Sequence, residues 1–272
     1  MMKKLFFISM LLCIAIVSHS QTIDSVNIKC LYKLTYVMDT NYTANVAYDT
    51  KALEIGEHIA KYYSYERYLG DSIFKVDVDK GLNMGEMIAD SKKYKRNNST
   101  LISYQNYPKN MISVTENIGQ LYLYTEDLKP QNWQIEKDTQ TIYGISCQKA
   151  TTLFRGRSYT AWFTFTIPTP FGPWKFNGLP GLILKISDSQ NQFIFECIAI
   201  ENGNKKPIIP YQTADCLKTT RKEMRLLNAQ KSDDPLSSFM LNNSSMGVVV
   251  DFGDANIDIP KRPYNPIEKT YD

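Results

Sequence analysis

Two histidines stand in the 272 residues, His19 and His58. His19 falls in an N-terminal stretch that reads as removable, which leaves His58 as the one imidazole. A single imidazole excludes His-rich zinc sites and gives nucleophile–histidine catalysis one candidate base. His58 follows Gly56-Glu57 in a segment that reads as a hairpin turn, a solvent-exposed position. A cysteine nucleophile would need the same His58, and disulfide pairing would remove its thiolate. The carboxylates are scattered. Asp77-Val78-Asp79-Lys80-Gly81 has the look of a calcium loop, but that loop needs an acid or amide fifth, Gly sixth and Glu twelfth. Here Gly81 is fifth and Ile88 twelfth. Asp251-Phe252-Gly253 spells a kinase tripeptide with no phosphate or catalytic loop beside it. The basic run Lys92, Lys93, Lys95 and Arg96 around Tyr94 could contact phosphates, but it reads more simply as a solvated helix end. Two acids meeting in space are the remaining acid–base route. The expectation is no catalytic residue, no metal and no cofactor, with a carboxylate-dependent hydrolase as a remote alternative.

The densest unusual stretch runs from Ile167 to Ile183. Pro168, Pro170 and Pro173 hold the backbone extended, and Gly172 and Gly178 permit φ values that other residues avoid. Pro180-Gly181 fits the central pair of a type II turn, so Gly178, Pro180 and Gly181 form a motif turn. Trp174, Phe176 and Leu179, with Trp162 on the preceding strand, offer large apolar area. They are candidates either to contact a ligand or to plug the core.

The elements that must carry this loop begin after a signal peptide. Lys3 and Lys4 precede the apolar run Leu5–Val17, which ends in Ser18-His19-Ser20; this is the order of a cleavable secretory signal over residues 1–20. A run of 13 residues is too short to span a bilayer, which needs about 20. Cys13 lies inside the run, with apolar residues after it, so it does not read as a lipidation site. Cleavage lowers the basic count from 31 to 29 against 28 acids, a balance unsuited to nucleic acid. Cys30, Cys147, Cys197 and Cys216 remain. An even number in an oxidising compartment makes them disulfide candidates, with three pairings open.

Val26–Met38 reads as a strand, and Leu53–Ile55 with Ile59–Tyr63 as a hairpin. Residues 65–95 form a first helical zone, with Met84, Met87 and Ile88 on one face. Residues 99–202 are rich in Tyr, Thr, Ile, Phe and Val. Tyr159, Ala161, Phe163 and Phe165 alternate with Thr160, Trp162, Thr164 and Thr166, and Leu182–Ile186 pairs with Phe193–Ile200. A second helix begins with Thr213 as N-cap, turns Leu217, Thr220, Met224 and Leu227 inward and Arg221, Lys222, Glu223 and Arg225 to water, and stops at Asp233-Asp234-Pro235. A strand, Gly247–Phe252, precedes a Pro-rich tail. The fold class is mainly β (α+β): a curved antiparallel meander or half-barrel with two helical segments packed on it. It forms one domain, 21–259, followed by an extended tail, 260–272.

The hexapeptide Gly178-Leu179-Pro180-Gly181-Leu182-Ile183 resembles the signature of the GLPGLI family of exported Bacteroidetes proteins. Ile145–Ala150, Phe154-Arg155-Gly156-Arg157, Ala161-Trp162-Phe163, Gly172–Phe176 and Tyr264-Asn265-Pro266-Ile267-Glu268 are similar as well. Thr164-Phe165-Thr166 departs from the Thr-Pro-Glu-like run expected before Ile167-Pro168. The resemblance implies an exported envelope protein, periplasmic or secreted, with no established catalytic residue. The order of strands and the Pro-Gly turn is also loosely similar to lipoprotein-carrier-like half-barrels, which implies an acyl-binding surface. The expected function is therefore noncatalytic binding of a hydrophobic small molecule or lipid. The alternative is an accessory protein partner of an outer-membrane assembly, contacting it through the Pro-rich loop or tail. The mature chain should carry no transmembrane segment.

Overall fold

Two antiparallel meanders run end to end and share one twelve-stranded sheet. The computed structural model describes residues 23–83, 85–87, 99–233 and 265–270. The segment expected to be a signal peptide with Cys13, the Met84 and Ile88 positions, the basic run 92–96, the strand expected at 247–252, the 251–253 tripeptide and most of the tail lie outside the described residues. The first meander comprises β2 (Ile28–Val37), β3 (Val46–Ile55), β4 (Ala60–Ser64), β5 (Ile102–Gln105), β6 (Met111–Ile118) and β7 (Gln120–Asp127). The second comprises β8 (Gln134–Ile142), β9 (Ile145–Phe154), β10 (Arg157–Thr164), β11 (Leu182–Asp188) and β12 (Phe193–Asn202). β12 pairs with β2 and joins the halves. The short β14 (Leu217–Lys218) pairs in parallel with β7. Off the main sheet, β1 (Asp24–Ser25) pairs with β13 (Pro207–Ile208). Tight turns set the register: Tyr143-Gly144 and Arg155-Gly156 have positive φ at both residues, the geometry of two-residue type I′ hairpins.

The sheet is open but strongly curled. β7 and β8 lie ten strand spacings apart in the sheet order, about 48 Å if flat. Yet residues 128–133 join them, and a chain of that length reaches only about 25 Å. The edges must therefore approach each other, and Arg155 of the β9–β10 turn bonds Glu126 of β7 at 2.9 Å across the gap. This is the curved meander expected from the strand pattern.

The segment 169–181 fills the inside of the curl. Phe176, Leu179 and Trp174 are at most 4% exposed and pack with Tyr159, Phe195 and Trp133. A non-repetitive loop in a core must satisfy its own peptide groups. Ser103 and Gln105 of β5 donate to the Trp174 carbonyl, Gln105 also to that of Gly172, and the Trp133 indole N–H to that of Asn177. Gly178 has φ +90°, but the expected type II turn at Pro180-Gly181 does not form, because Gly181 does not take positive φ. Gly181 is required for closeness instead: a Cβ there would sit 2.0 Å from the Thr164 carbonyl oxygen. Gly172 likewise serves close packing, against Ile183 and the Phe176 carbonyl.

Three further details differ from the sequence pattern. A bulge at Trp162/Phe163 and the end of β10 at Thr164 leave Phe165 56% exposed, whereas Tyr159, Ala161 and Phe163 are buried as expected. Thr213 opens a three-residue 3-10 turn, not the helix. That helix, α2 (Arg221–Asp233), starts with a capping box: Glu223 N–H donates to Thr220 Oγ1, and Thr220 N–H donates to Glu223 Oε2. Met224 packs inward as expected against Val114 and Tyr124, but Leu217 lies in β14 and is exposed. The first helix, α1 (Tyr65–Asp79), is capped by Ser64, which accepts from Arg67 N–H. No helix among the described residues is long and apolar enough to cross a membrane.

Candidate functional site

Side chains alternate faces along a strand, so residues 53, 62 and 103 point into the plugged interior while 54, 61, 63 and 102 point outward. On that outer face, α1 lies against β3 and β4, and the β1–β13 pair covers Tyr104. Between them runs a cleft of about 640 Å³, within the usual range of ligand sites. Its apolar wall is Tyr63, Tyr68, Leu101, Ile102, Leu121 and Ile209. Tyr63 and Tyr68 meet edge to face at 5.6 Å.

The polar lining is biased to positive charge. Four cations, Lys61, Arg67, Lys75 and Lys206, face two acids, Glu54 and Asp71. Arg67 and Asp71 neutralise one another at 2.9 Å along α1. Glu54 accepts from the Tyr63 hydroxyl at 2.8 Å, and burial, with Glu54 beside it, holds that phenol well above its usual range. Burial pushes the Lys61 ammonium below the usual lysine range, and Glu54 opposes this only in part. Lys61 also stands 5.3 Å from the Tyr63 ring centre and 5.6 Å from that of Tyr104. A half-buried ammonium of this kind gains from an incoming anion, which replaces the lost hydration. The lining comes from widely separated stretches of chain, so sequence spacing does not reveal it; Tyr63, Ser64, Arg67 and Tyr68 are the one local cluster.

The residues singled out from the sequence lie elsewhere. Trp174, Phe176 and Leu179 are in the interior, and Trp162 is half-buried on the opposite face of its strand from Ala161. His58 is in the β3–β4 turn with its side chain 73% exposed, and its N–H donates to Asp24 Oδ2. Cys30, Cys147, Cys197 and Cys216 are all free thiols, Cys216 half-exposed and the others buried. No group of His, Cys, Asp and Glu among the described residues could hold a metal ion.

Three of the quoted sequence motifs meet at one place. Lys175 Nζ, buried, lies 2.6 Å from both Glu126 Oε1 and Glu268 Oε1. Arg221 bonds Glu268 at 2.7 Å, so it is turned inward rather than to water as expected. Arg157 reaches Asp188, Gln192, Asn265 and the Pro266 carbonyl. Lys269 N–H donates to the Arg155 carbonyl, and Arg225 donates to that of Thr270. The loop, the β9–β10 turn and residues 265–270 are thus locked together. Burial would raise the Glu268 pKa, but Lys175 and Arg221 outweigh it and hold the carboxyl below its usual range. Glu126 and Glu268 share the Lys175 ammonium and each also pairs with arginine, so neither is a free carboxyl placed to donate a proton. The arrangement suits a structural lock and not acid–base chemistry.

A family model described as a protein of unknown function (Porph_ging) matches residues 155–185, which span the β9–β10 turn, the plug and the Gly178–Ile183 hexapeptide. No curated protein matches the sequence. Among solved structures, the chain is similar to PNGF-II in a P21 crystal form, at 11% identity and TM-score 0.48, over 75% of this chain and 33% of that one. A C2 form of PNGF-II gives 11% identity and TM-score 0.46, over 74% and 32%. The chain spans about a third of that protein's length.

Proposed function

We propose that this is an exported, noncatalytic envelope protein of the GLPGLI type that binds an amphiphile with an anionic head in the outer-face cleft. The observation that carries the reading is a 640 Å³ cleft with an aromatic and aliphatic wall, bearing more cations than acids. An acyl chain would lie along Tyr63, Leu101 and Ile102, and its carboxylate or phosphate would meet Lys61 and Lys206. The site differs from that of a lipoprotein-carrier-like half-barrel, because the concave side here is filled by residues 169–181 and the free volume is on the other face. Binding is preferred over an accessory role in an assembly on one ground: Phe171, Trp174, Phe176 and Leu179 of the Pro-rich loop are buried, leaving Pro168, Pro170 and Pro180 at the surface, and residues 265–270 are tied down by Arg157 and Arg225.

The test is titration of the delipidated protein with a fluorescently labelled long-chain fatty acid, with the matching fatty alcohol in parallel. Saturable binding of the acid is expected, with weaker binding of the alcohol. Lys61→Gln should weaken the acid by about tenfold or more, the loss of a charge-assisted bond of about 1.5 kcal/mol, and leave the alcohol unchanged. No saturable uptake of either probe, together with no bound mass in native mass spectrometry of the protein as purified, overturns the reading.

A further inference from the structure

Cys30 on β2 and Cys197 on β12 are 167 positions apart in sequence and adjacent in space. The register sets Cys197 opposite Tyr32, two residues from Cys30 on the same inward face. Diagonal neighbours of this kind stand at about 7–8 Å between Cα atoms in a regular ladder, slightly beyond disulfide range. The ladder here is not regular: it shifts between Cys197 and Ala199, leaving Ile198 as the extra residue of a bulge on β12. A bulge bends its strand and re-aims the side chains beside it. Both thiols are buried, at 0% and 2% exposure, each lies in the other's electrostatic environment, and the Cys197 thiol donates to the Ala199 carbonyl just past the bulge. The other two cysteines lie on other elements, Cys147 on β9 and Cys216 beside the 213–215 turn. Cys147 donates to the Ile145 carbonyl, and Cys216 to that of Gln212.

We propose that Cys30 and Cys197 are a thiol–disulfide pair, which a small-molecule or protein disulfide oxidises to a covalent cross-strand link between β2 and β12. The Cys197 thiolate attacks one sulfur of the oxidant R–S–S–R. A mixed disulfide Cys197–S–S–R forms, and R–S⁻ leaves to take up the proton that Cys197 lost. Cys30, deprotonated in turn, attacks the Cys197 sulfur. The Cys30–Cys197 bond forms, the bond to R breaks, and a second R–SH departs. Two protein thiols are oxidised and one disulfide is reduced to two thiols. Cys197 is the first nucleophile because it sits at the bulge and is the less buried of the two, and its environment favours the thiolate where that of Cys30 opposes it. The link would fasten the first meander to the second at the strand pair on which the whole sheet depends.

The experiment is oxidation of the purified protein with a glutathione redox buffer, once on the folded protein and once during refolding from the reduced chain. Iodoacetamide trapping and peptide mass mapping follow. The expected result is joint loss of the alkylated Cys30 and Cys197 peptides and appearance of one cross-linked peptide, with the Cys147 and Cys216 peptides still alkylated. The cross-link should survive in Cys147→Ser and Cys216→Ser, and Cys30→Ser should leave a glutathione adduct on Cys197. Full alkylation of Cys30 and Cys197 under both conditions overturns the proposal, and so does a link to Cys147 or Cys216. Mapping of the wild-type protein decides the matter even if Cys30→Ser fails to fold.

Discussion

Lys175→Met removes the ammonium at the centre of the buried lock and keeps the hydrophobic stem. The side chain is 1% exposed, and Nζ touches two carboxylates at 2.6 Å. At an effective dielectric of about 20, each contact has a gross attraction of about 6 kcal/mol, and desolvation of the ammonium takes back several kcal/mol. Breaking a buried pair from one side typically costs about 3–5 kcal/mol. Glu126 keeps Arg155 and Arg221 as partners, and Glu268 keeps Arg221, so the low end applies, about 3 kcal/mol. In urea unfolding the midpoint should fall with the slope unchanged. The melting temperature should drop by about 6–12 °C. The pH dependence follows from the signs. Glu268 is held below its usual range, so its contribution is present above the unfolded carboxylate value of about 4.3 and is lost as pH falls through its lower folded value. Burial would lower the Lys175 pKa, but Tyr124, Glu268 and Glu126 more than reverse it. Its contribution is therefore complete below the unfolded lysine value of about 10.4 and is lost only at higher pH. The gap between wild type and Lys175→Met should be full at pH 7 and should narrow below about pH 4. A loss under about 1 kcal/mol at neutral pH, or a gap that widens in acid, would refute the lock.

Two core substitutions separate packing from binding. Phe176→Ala should cost about 3–5 kcal/mol in chemical denaturation while leaving fatty-acid affinity unchanged, because Phe176 and the cleft lie on opposite faces of the sheet; lost affinity in protein that is still folded would return the plug aromatics to ligand contact. Gly181→Ala forces a Cβ to within 2.0 Å of the Thr164 carbonyl oxygen and should destabilise by at least about 2 kcal/mol. Gly81→Ala meets open space at φ +72° and should cost only about 1–2 kcal/mol, so equal thermal shifts for the two would contradict the close-approach account.

The strands were legible wherever alternation or a turn marked them. Ile28–Val37, the β3–β4 hairpin and the β11–β12 pair follow the pattern of the sequence because burial of one face imposes a period of two. The second helix was displaced because Leu217 at helical spacing from Met224 suits an inner stripe, while pairing of Leu217 with Tyr122 on β7 satisfies backbone groups that a helix start would leave unpaired. The Pro180-Gly181 turn was misread for a similar reason. Turn chemistry and close packing both select glycine, and only the position of the Thr164 carbonyl distinguishes them. Arg221 looked like a surface cation until Glu126 and Glu268 were brought to it from two distant segments.

Composition and local pattern by themselves determined a β-rich chain with two histidines, one of them in a turn, an apolar N-terminal run and a Pro/Gly/aromatic loop of unusual density. These are properties of neighbours along the chain, set by propensity and periodicity. Tertiary structure decided what depends on distant residues meeting: the curl that brings β7 and β8 together, the lock among Lys175, Glu126, Glu268 and Arg221, the placement of Cys30 and Cys197 on one face of the paired strands β2 and β12, and the cleft beside α1. Such contacts are fixed by sheet curvature and register, where a one-residue slip would exchange the plugged face for the open one. That is why the candidate site came to light on the side of the sheet that no motif had marked.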